Sequence, residues 1–540
     1  MKRFLNWQSG LVFLIFLLAF SLRLWQIDKN PTFISDEASI GYNAYSILKT
    51  GKDEWGQFLP LAFKSFGEYK LPFYIYSVVP SVAIFGLNEF ATRLPSALFG
   101  SLTVLLLFFL VKMIFSKTKL LISFLASFLL AISPWHIQVS RMALEANLGL
   151  FLTVLAALFL LKAKQKTLLY YFSLPLFALT FYTYNSCRVF TTLFLLTYFF
   201  IFRKEIKFRN IAKPLILFLL LVLPLIFSGF AGSRERFYKV GIFQDPGIIA
   251  QINQQRGECQ IKSPRTSCFL RYNKLVVYSQ VFIKNYFSHF SYRFLFTQGA
   301  GLSQYGVPGQ GVVYLWELPF LILGLIYLLK FKKVFLTLLA WLLIAPLANS
   351  LTGMAHPVRA IFMLPILPIF SAVGVTISIS FFSKRIYFRY LYNFLLMLVI
   401  GASLVAFGVR YFVLYPAVAD WNWQRGYKGL YQELAKLESQ VGKIYVSKFY
   451  GEPHIFYLFY HQYDPAKYQN GENVLRYDRE DYWVNVDRIG QYYFVQEPNK
   501  VSLGNKDSLA LSLQEFSFEN KILTTIKYRN GQTAFLILEK

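Results

Sequence analysis

The chain has 540 residues, of which 56% are hydrophobic and only 15% are charged. A soluble protein of this length would need far more surface charge, so the composition indicates an integral membrane protein. Lysine and arginine number 55 against 28 acidic residues. This excess does not indicate nucleic-acid binding, because the basic residues fall in short clusters between apolar runs.

The first apolar segment, 11–27, follows Lys2 and Arg3 and has the general form of a signal peptide. It lacks a small-residue cleavage site and contains Arg23, so we interpret it as a retained anchor helix. Most of the apolar stretches are long enough to cross about 30 Å of hydrocarbon. The stretches are 11–27, 71–86, 94–115, 119–134, 148–161, 168–184, 189–202, 214–230, 312–329, 334–350, 358–382 and 391–415.

The basic clusters fall on one side of the membrane only if the stretch 71–86 does not cross it. That stretch is short and contains Pro72 and Pro80, so we expect an interfacial or re-entrant helix on the outer face. The sequence then predicts a polytopic α-helical membrane protein of about eleven spans in the cell (cytoplasmic) membrane, with the N-terminus inside. The clusters are Lys2/Arg3, Lys112/Lys117/Lys119, Lys162/Lys164/Lys166, Arg203/Lys204/Lys207/Arg209, Lys330/Lys332/Lys333 and Lys384/Arg385/Arg389.

The predicted topology places a long loop, 231–311, outside. The loop is itself basic, with Arg234, Arg236, Arg256, Arg265 and Arg271, but long loops largely escape the charge rule. Two of the three cysteines, Cys259 and Cys268, lie in this loop. They are close enough to form a disulfide in an oxidising exterior, and two free thiols are the alternative.

The composition changes after residue 415, where charged residues become frequent. Helical spacing is present over 427–440, and the strand-like runs are 443–447, 491–496 and 534–538. Asn530 and Gly531 have the composition of a hairpin turn. The sequence therefore predicts a membrane domain over 1–415 and a small α/β domain over 416–540 on the outer side.

A polar stretch, 31–72, follows the first apolar segment and contains Asp36, Glu37, Glu68 and Lys70. Asp36 and Glu37 could have a purely structural role at the start of a helix. Ser35 would be a helix N-cap, and the two acids would interact favourably with the dipole in the first turn. A membrane-surface ion pair is the corresponding structural interpretation of Glu68 and Lys70.

Three more groups of ionisable residues lie at predicted outer span ends. In 133–147, Arg141 and Glu145 are four residues apart and could form an ion pair on one helical face. The segment 182–188 contains Arg188, and the segment 356–359 contains His356 and Arg359. The structural alternative for both arginines is snorkelling of the side chain to the membrane surface.

The predicted topology places all of these groups on one side of the membrane. Such an arrangement suits transfer of a group from a lipid phosphate to an acceptor. A phosphate-linked leaving group needs little acid catalysis, so one carboxylate base suffices while cations stabilise the departing phosphate.

These residues resemble the membrane glycosyltransferases of superfamily C, in particular the family-39 and lipid A aminoarabinose-transferase group, which includes protein O-mannosyltransferases. Asp36 and Glu37 match an early acidic pair, EYKLP (68–72) matches a Glu/Lys–Pro stretch, and Glu145 matches a second acidic position. The segments SPWHIQVSR, YTYNSCRVF and HPVRAIFMLPILP are also similar to bacterial members. The resemblance covers roughly residues 1–415.

The resemblance implies inverting transfer of a hexosyl or pentosyl group from a polyprenyl-phosphate sugar to a protein, lipid or glycan at the outer face. Asp36 would be the base that activates the acceptor. The sequence departs from the family pattern at position 145, which is Glu where the family commonly has Asp. Metal dependence varies in the superfamily, and a divalent cation is left open. The implied roles are catalytic for Asp36, Glu68 and Glu145, loop-supporting for Glu37, and donor- or phosphate-binding for Lys70, Arg141, Arg188, His356 and Arg359.

Two other classes of protein were compared with the enzyme. A transporter or flippase of a lipid-linked or charged substrate usually has ionisable groups near mid-membrane and paired halves with broken helices. A non-catalytic assembly or sensor protein leaves Asp36, Glu68 and Lys70 without a role. The predicted spans are nearly free of buried charge, which favours the enzyme, and the exceptions are Arg23, Lys112, Glu317, Arg359 and Arg410.

Overall fold

The structure is a computed structural model that describes residues 7–115, 120–227, 241–301, 304–420, 424–479, 483–504, 506–516 and 521–539. Some of the basic residues named in the topology prediction lie outside these ranges, namely Lys2, Arg3, Lys117, Lys119, Arg234 and Arg236.

The described residues between 7 and 420 fold mainly as helices, in keeping with the long apolar runs of the sequence. A short hairpin of β1 (Phe63–Lys64) and β2 (Tyr69–Lys70) interrupts them. The helices are α1 (Trp7–Leu24), α2 (Ser35–Thr50), α3 (Pro72–Phe85), α4 (Glu89–Phe115), α5 (Leu120–Ile132), α6 (Pro134–Ser140), α7 (Glu145–Ala163), α8 (Tyr170–Thr180), α9 (Asn185–Ile201), α10 (Phe208–Phe227), α11 (Pro246–Gln260), α12 (Arg265–Arg271), α13 (Lys274–Ser288), α14 (Leu318–Leu328), α15 (Lys332–Ile344), α16 (Leu347–Ser350), α17 (Ile366–Phe382), α18 (Ile386–Val409) and α19 (Tyr415–Ala419).

By length and composition, seven helical segments of the described chain could cross a membrane, and α5 with α6, bent by 57°, could form an eighth span. Four shorter apolar helices include Pro72–Phe85, where the sequence predicts an interfacial helix. The polytopic helical fold is confirmed. The count of about eleven spans stays a prediction, because it depends on which of the shorter helices cross.

Two glycines allow α14 and α17 to pack backbone against backbone. A Cβ added at Gly324 would meet the carbonyl of Phe370, and one added at Gly374 would meet the carbonyl of Phe320. Small residues at such crossings are typical of membrane helices, where van der Waals packing rather than the hydrophobic effect holds helices together.

The long loop 231–311 is partly helical. Within it, Cys259 at the end of α11 and Cys268 in α12 form a disulfide with a Cα–Cα distance of 5.7 Å. Of the two possibilities left open by the sequence, the structure therefore contains the disulfide rather than two free thiols.

The C-terminal region has a seven-stranded sheet with the order β4-β5-β6-β3-β7-β9-β8, in which β3 is parallel to both of its neighbours. The predicted helix and strands are present, and Gly531 has a positive φ of 84° in the β8–β9 turn. The α/β architecture is thus confirmed. Its elements are α20 (Gly426–Leu437), β3 (Ile444–Ser447), α21 (Pro453–Tyr460), α22 (Pro465–Gln469), β4 (Val474–Asp478), β5 (Val484–Ile489), β6 (Tyr492–Val495), β7 (Ser508–Ser512), β8 (Lys521–Lys527) and β9 (Thr533–Glu539).

This α/β region shares an apolar core with α2 and α3 of the first polar stretch. The ring of Phe459 in α21 packs against that of Phe33, with the centroids 4.8 Å apart and the planes inclined by 42°. Phe459 also lies so close to α2 that a Cβ at Gly41 would collide with its ring. Only glycine permits this approach. The first polar stretch and the C-terminal region therefore meet at the same end of the helical bundle.

Candidate active site

A cavity of about 260 Å³ lies against the first turn of α2 and contains seven of the nine site residues predicted from the sequence. We call it the α2 cavity. Its walls come from six separate stretches of the chain, so only the folded bundle creates it. The lining residues are Ile34, Asp36, Glu37, Ile40, Glu68, Lys70, Ala143, Leu144, Glu145, Tyr184, Tyr305, His356, Val358 and Arg359.

The ion pair of Asp36 and Lys70 lies in this cavity. The Lys70 Nζ donates to Asp36 Oδ1 at 2.6 Å and lies 3.8 Å from Glu68 Oε1. The side chain of Lys70 is only 4% exposed, whereas that of Asp36 is 45% exposed. Burial lowers the pKa of Lys70, but the carboxylates of Asp36, Glu68 and Glu145 outweigh it and raise the pKa above its usual value. Lys70 is therefore an ammonium at neutral pH.

The start of α2 differs from the sequence prediction. Ser35 is not the N-cap: Ile34 occupies that position, and its side chain makes no capping hydrogen bond. Two other side chains accept from the exposed amides instead. Glu37 Oε2 accepts from the Ile34 amide at 3.3 Å, and Gln424 Oε1 from the C-terminal region accepts from the Ser35 amide at 2.9 Å. The helix turn that carries Asp36 is thus capped from two sides.

Glu37 lies at the edge of the cavity but is fully buried, and it is paired with Arg93 of α4. Arg93 donates through Nε to Glu37 Oε1 at 2.7 Å and through Nη2 to Oε2 at 2.5 Å. The Ala143 amide also donates to Glu37 Oε1, at 2.8 Å. These contacts agree with a loop-supporting role for Glu37. The sequence reasoning missed Arg93, because it placed the start of this span at residue 94, whereas α4 begins at Glu89.

Arg141 does not line the cavity, and the prediction that it shares a helical face with Glu145 is wrong. The helix α6 ends at Ser140 and α7 begins at Glu145, so the two residues lie on different helices. The Arg141 side chain is fully buried and donates to backbone carbonyls in the last turn of α1 and in the segment that follows it. These are the carbonyls of Leu22, Arg23, Trp25, Gln26 and Asn30.

Arg188 also lies outside the lining, and its Nε donates to the carbonyl of Phe181 at 3.2 Å. The predicted segment 182–188 contributes Tyr184 to the cavity instead. Arg359 lines the cavity and donates through Nη1 to Thr352 Oγ1 at 2.9 Å.

The long loop supplies Tyr305, which no feature of the sequence indicated. Its ring centroid lies 4.8 Å from that of His356. Burial, and then the nearby charge of Asp36, raise the pKa of the Tyr305 hydroxyl, so it remains a hydrogen-bond donor at neutral pH. Within the described ranges, no group of three or more His, Cys, Asp and Glu side chains is arranged to hold a metal ion.

Part of the sequence resembles a known protein family. A family profile described as dolichyl-phosphate-mannose-protein mannosyltransferase matches residues 70–228. A comparison with curated protein sequences finds no match.

Solved structures resemble the chain over most of its length at low identity. ArnT from Cupriavidus metallidurans bound to undecaprenyl phosphate aligns with a TM-score of 0.53 and 10% identity, over 98% of this chain and 97% of that one. The apo state of the same ArnT aligns with a TM-score of 0.51 and 12% identity, over 99% of this chain and 98% of that one. An Archaeoglobus fulgidus oligosaccharyltransferase tethered to an acceptor peptide aligns with a TM-score of 0.51 and 15% identity. The alignment covers 85% of this chain but only 63% of the oligosaccharyltransferase.

The chain therefore shares its fold with ArnT over nearly the whole length of both chains. The resemblance to the membrane glycosyltransferases of superfamily C, and to their protein mannosyltransferase and ArnT branch, is confirmed by the family match and the ArnT alignments.

Proposed function

We propose that the chain transfers a hexosyl or pentosyl group from a polyprenyl-phosphate-linked donor to an acceptor at the outer face of the cell membrane, with inversion at the anomeric carbon. The observation that carries this proposal is the α2 cavity. It brings Asp36 and Lys70 to 2.6 Å in one pocket with Glu68, Glu145, His356 and Arg359. A family match to dolichyl-phosphate-mannose-protein mannosyltransferases and the undecaprenyl phosphate bound by ArnT support the donor class.

In the proposed reaction, an acceptor hydroxyl or amine attacks the anomeric carbon of the donor. The bond from that carbon to the phosphate oxygen breaks, its electron pair stays on the phosphate, and the acceptor proton passes to Asp36. Attack opposite the leaving phosphate inverts the configuration. The exposed side of Asp36 suits this role, because a base must reach a bound acceptor.

Lys70 and Arg359 would hold the departing phosphate. Lys70 is held as an ammonium, and Arg359 offers a planar guanidinium that can bind two phosphate oxygens. Glu68 lies 3.8 Å from Lys70 and would fix the position of its ammonium. Glu145, at the first position of α7, would orient the sugar.

The orientation of the chain is part of the proposal. The α2 cavity and the C-terminal region would face the outside, with the N-terminus inside. A cysteine placed at Asn88, just after α3, would then react with an impermeant thiol reagent from outside the cell. Labelling only after permeabilisation would show that α3 crosses the membrane.

The test of the reaction is turnover of radiolabelled polyprenyl-phosphate mannose and polyprenyl-phosphate pentose by the purified protein. We expect Asp36→Asn to lower the rate by about 10²–10⁴ while the protein stays folded and still binds undecaprenyl phosphate. Asp28→Asn is the matched control, since Asp28 is an exposed carboxylate just before the polar stretch and does not line the α2 cavity. Retained transfer by Asp36→Asn would overturn the role of Asp36.

A further inference from the structure

A second cavity lies at the opposite end of the helices that carry the α2 cavity. It has a volume of about 260 Å³ and is bounded by α4, α7, α9, α15 and α17. The helix α7 begins at Glu145, in the α2 cavity, and ends at Ala163, next to Lys164 in the second cavity. Since an α-helix rises 1.5 Å per residue, the two cavities are roughly 25–30 Å apart. We call this second site the lysine cavity.

The interior of the lysine cavity is mainly apolar, with the hydroxyls of Tyr198 and Thr337 in its wall, and the Thr337 hydroxyl already donates to the carbonyl of Lys333. Leu160, Phe194, Leu338 and Trp341 form part of its wall. Tyr198 also lines it, is 2% exposed, and has an Oη atom with no hydrogen-bond partner in the described part of the chain. A buried hydroxyl without a partner is unfavourable, so this group favours a ligand that brings an acceptor oxygen.

The mouth of the cavity has an excess of positive charge. Lys164 and Lys333 both line it, and both ammonium groups contact the single carboxylate of Glu205, the former at 3.3 Å. Glu205 is the only acidic residue in the connections 162–167, 202–210 and 329–333, which are otherwise rich in lysine and arginine. The Lys164 ammonium also lies 3.0 Å from the ring centroid of Phe202, where a cation is favourable.

We propose that the lysine cavity binds an anionic membrane phospholipid. One acyl chain enters between the helices for about 10 Å, the length of α7 from Ala157 to Lys164. The phosphate contacts Lys164 and Lys333, and the Tyr198 hydroxyl donates to a phosphate or ester oxygen. The uneven charge at the mouth selects an anionic head group over a zwitterionic one.

Such a lipid would join α7, α9 and α15 at their ends remote from the α2 cavity. The first two of these helices carry, at or just before their other ends, the cavity residues Glu145 and Tyr184. Binding at the lysine cavity would therefore stabilise the helices that form the opposite site without touching the reacting atoms.

The test uses the full-length protein, purified in detergent and stripped of lipid. Phosphatidylglycerol and phosphatidylcholine with identical acyl chains are titrated, and bound lipid is counted by native mass spectrometry. We expect one phosphatidylglycerol to bind in preference to phosphatidylcholine. Lys164→Gln and Lys333→Gln should each weaken it on the order of fivefold. Tyr198→Phe should weaken it less, without lowering the melting temperature of the stripped protein.

The matched control is the double variant Lys162→Gln/Lys330→Gln, which removes two charges from the same connections but not from the cavity lining. It should bind phosphatidylglycerol like the wild type. Equal binding of both lipids, or an equal loss in the control and the cavity variants, would overturn the proposal and leave only diffuse attraction to anionic lipid.

Displacement of the phosphatidylglycerol by undecaprenyl phosphate at the wild-type site, but not in Lys164→Gln, would reassign the cavity to the donor lipid. Because no residue of the α2 cavity is changed, these outcomes are independent of the proposed sugar transfer.

Discussion

Asp36 and Glu37 are neighbours in the sequence, yet they belong to two very different regions of the molecule. Asp36 faces the α2 cavity, has a side chain that is 45% exposed, and has Lys70 as its ion-pair partner. Glu37 is fully buried beside Arg93, which together with Arg23 and Arg141 belongs to a group of fully buried arginines that we call the arginine layer. Glu37 accepts four hydrogen bonds, two from Arg93 and one each from the amides of Ile34 and Ala143.

The two regions differ in how far their ion pairs are exposed to water. The arginine layer binds backbone carbonyls at and after the end of α1, so its donors hold the polar stretch 31–72 in place. The α2 cavity has an open side and a mixture of acids and bases. The buried Glu37–Arg93 pair contributes to the shape of the site, whereas the partly exposed Asp36–Lys70 pair remains able to exchange partners with a substrate.

The largest effect is expected from breaking the arginine layer. Arg93→Ala removes both nitrogens that bind Glu37 and leaves a carboxylate buried without its cation. We expect a loss of about 3–5 kcal/mol of stability, seen as aggregation or a much lower melting temperature in size-exclusion thermal shift.

A double variant separates the burial of charge from the packing of the site. Replacing the pair by Glu37→Leu and Arg93→Leu removes both charges, and it should recover part of the stability lost in Arg93→Ala. If Arg93→Ala were as stable as the wild type, the pair would not hold the stretch, and the contrast with Asp36 would fail.

The second effect is on activity rather than on folding. Lys70→Ala should lower the rate of sugar transfer by about 10²–10³, because one cation that stabilises the departing phosphate is lost. The fold should survive, since Asp36 is accessible to water. Lys64→Ala is the control, because Lys64 forms an equally short pair with Asp478 away from the α2 cavity. A surface pair of this kind contributes about 0–1 kcal/mol. Equal transfer rates in both variants would contradict a phosphate role for Lys70.

A smaller effect is expected where the C-terminal region caps α2. Gln424→Ala removes the acceptor of the Ser35 amide, a loss of about 0.5–2 kcal/mol by comparison with other helix caps. We expect a several-fold lower kcat with little change in donor binding, because Asp36 lies one residue beyond the capped amide. Gln432→Ala, on the exposed face of α20, should behave like the wild type. A change in donor affinity alone would argue that Gln424 does not act through α2.

Much of the fold could be predicted because apolar length and basic clusters are local properties of the sequence. The helices α1, α3, α5 and α9 begin and end within a few residues of the predicted stretches. The predicted stretch 94–115 leaves out the first turn of α4, because Glu89 and Arg93 interrupt the apolar pattern there. Their burial depends on partners that are distant in the sequence.

The site was predictable where ionisable residues lie outside or at the ends of the spans, on one predicted side of the membrane. Asp36, Lys70 and Arg359 stood out in that way, and the structure brings them to one cavity. Arg141 stood out equally but binds carbonyls, since sequence spacing cannot show that α6 ends before it. Tyr305 and Gln424 gave no signal, because a tyrosine or a glutamine in a polar segment is ordinary until its neighbours are known.

The last prediction concerns a third carboxylate, which is buried like Glu37 but has an amide rather than an arginine as its nearest partner. Glu54 is 5% exposed and accepts from Asn43 Nδ2 at 3.0 Å. Burial raises the pKa of Glu54 to about 7, so the folded state favours the protonated acid. Its contribution to stability is complete below the unfolded pKa of about 4.3 and is lost as the pH rises through about 7. The melting temperature of the wild type should therefore fall between pH 5 and pH 8 relative to that of Glu54→Gln, which cannot ionise. Parallel melting curves for the two proteins would show that Glu54 is ionised throughout, and that burial alone does not distinguish the acids of this stretch.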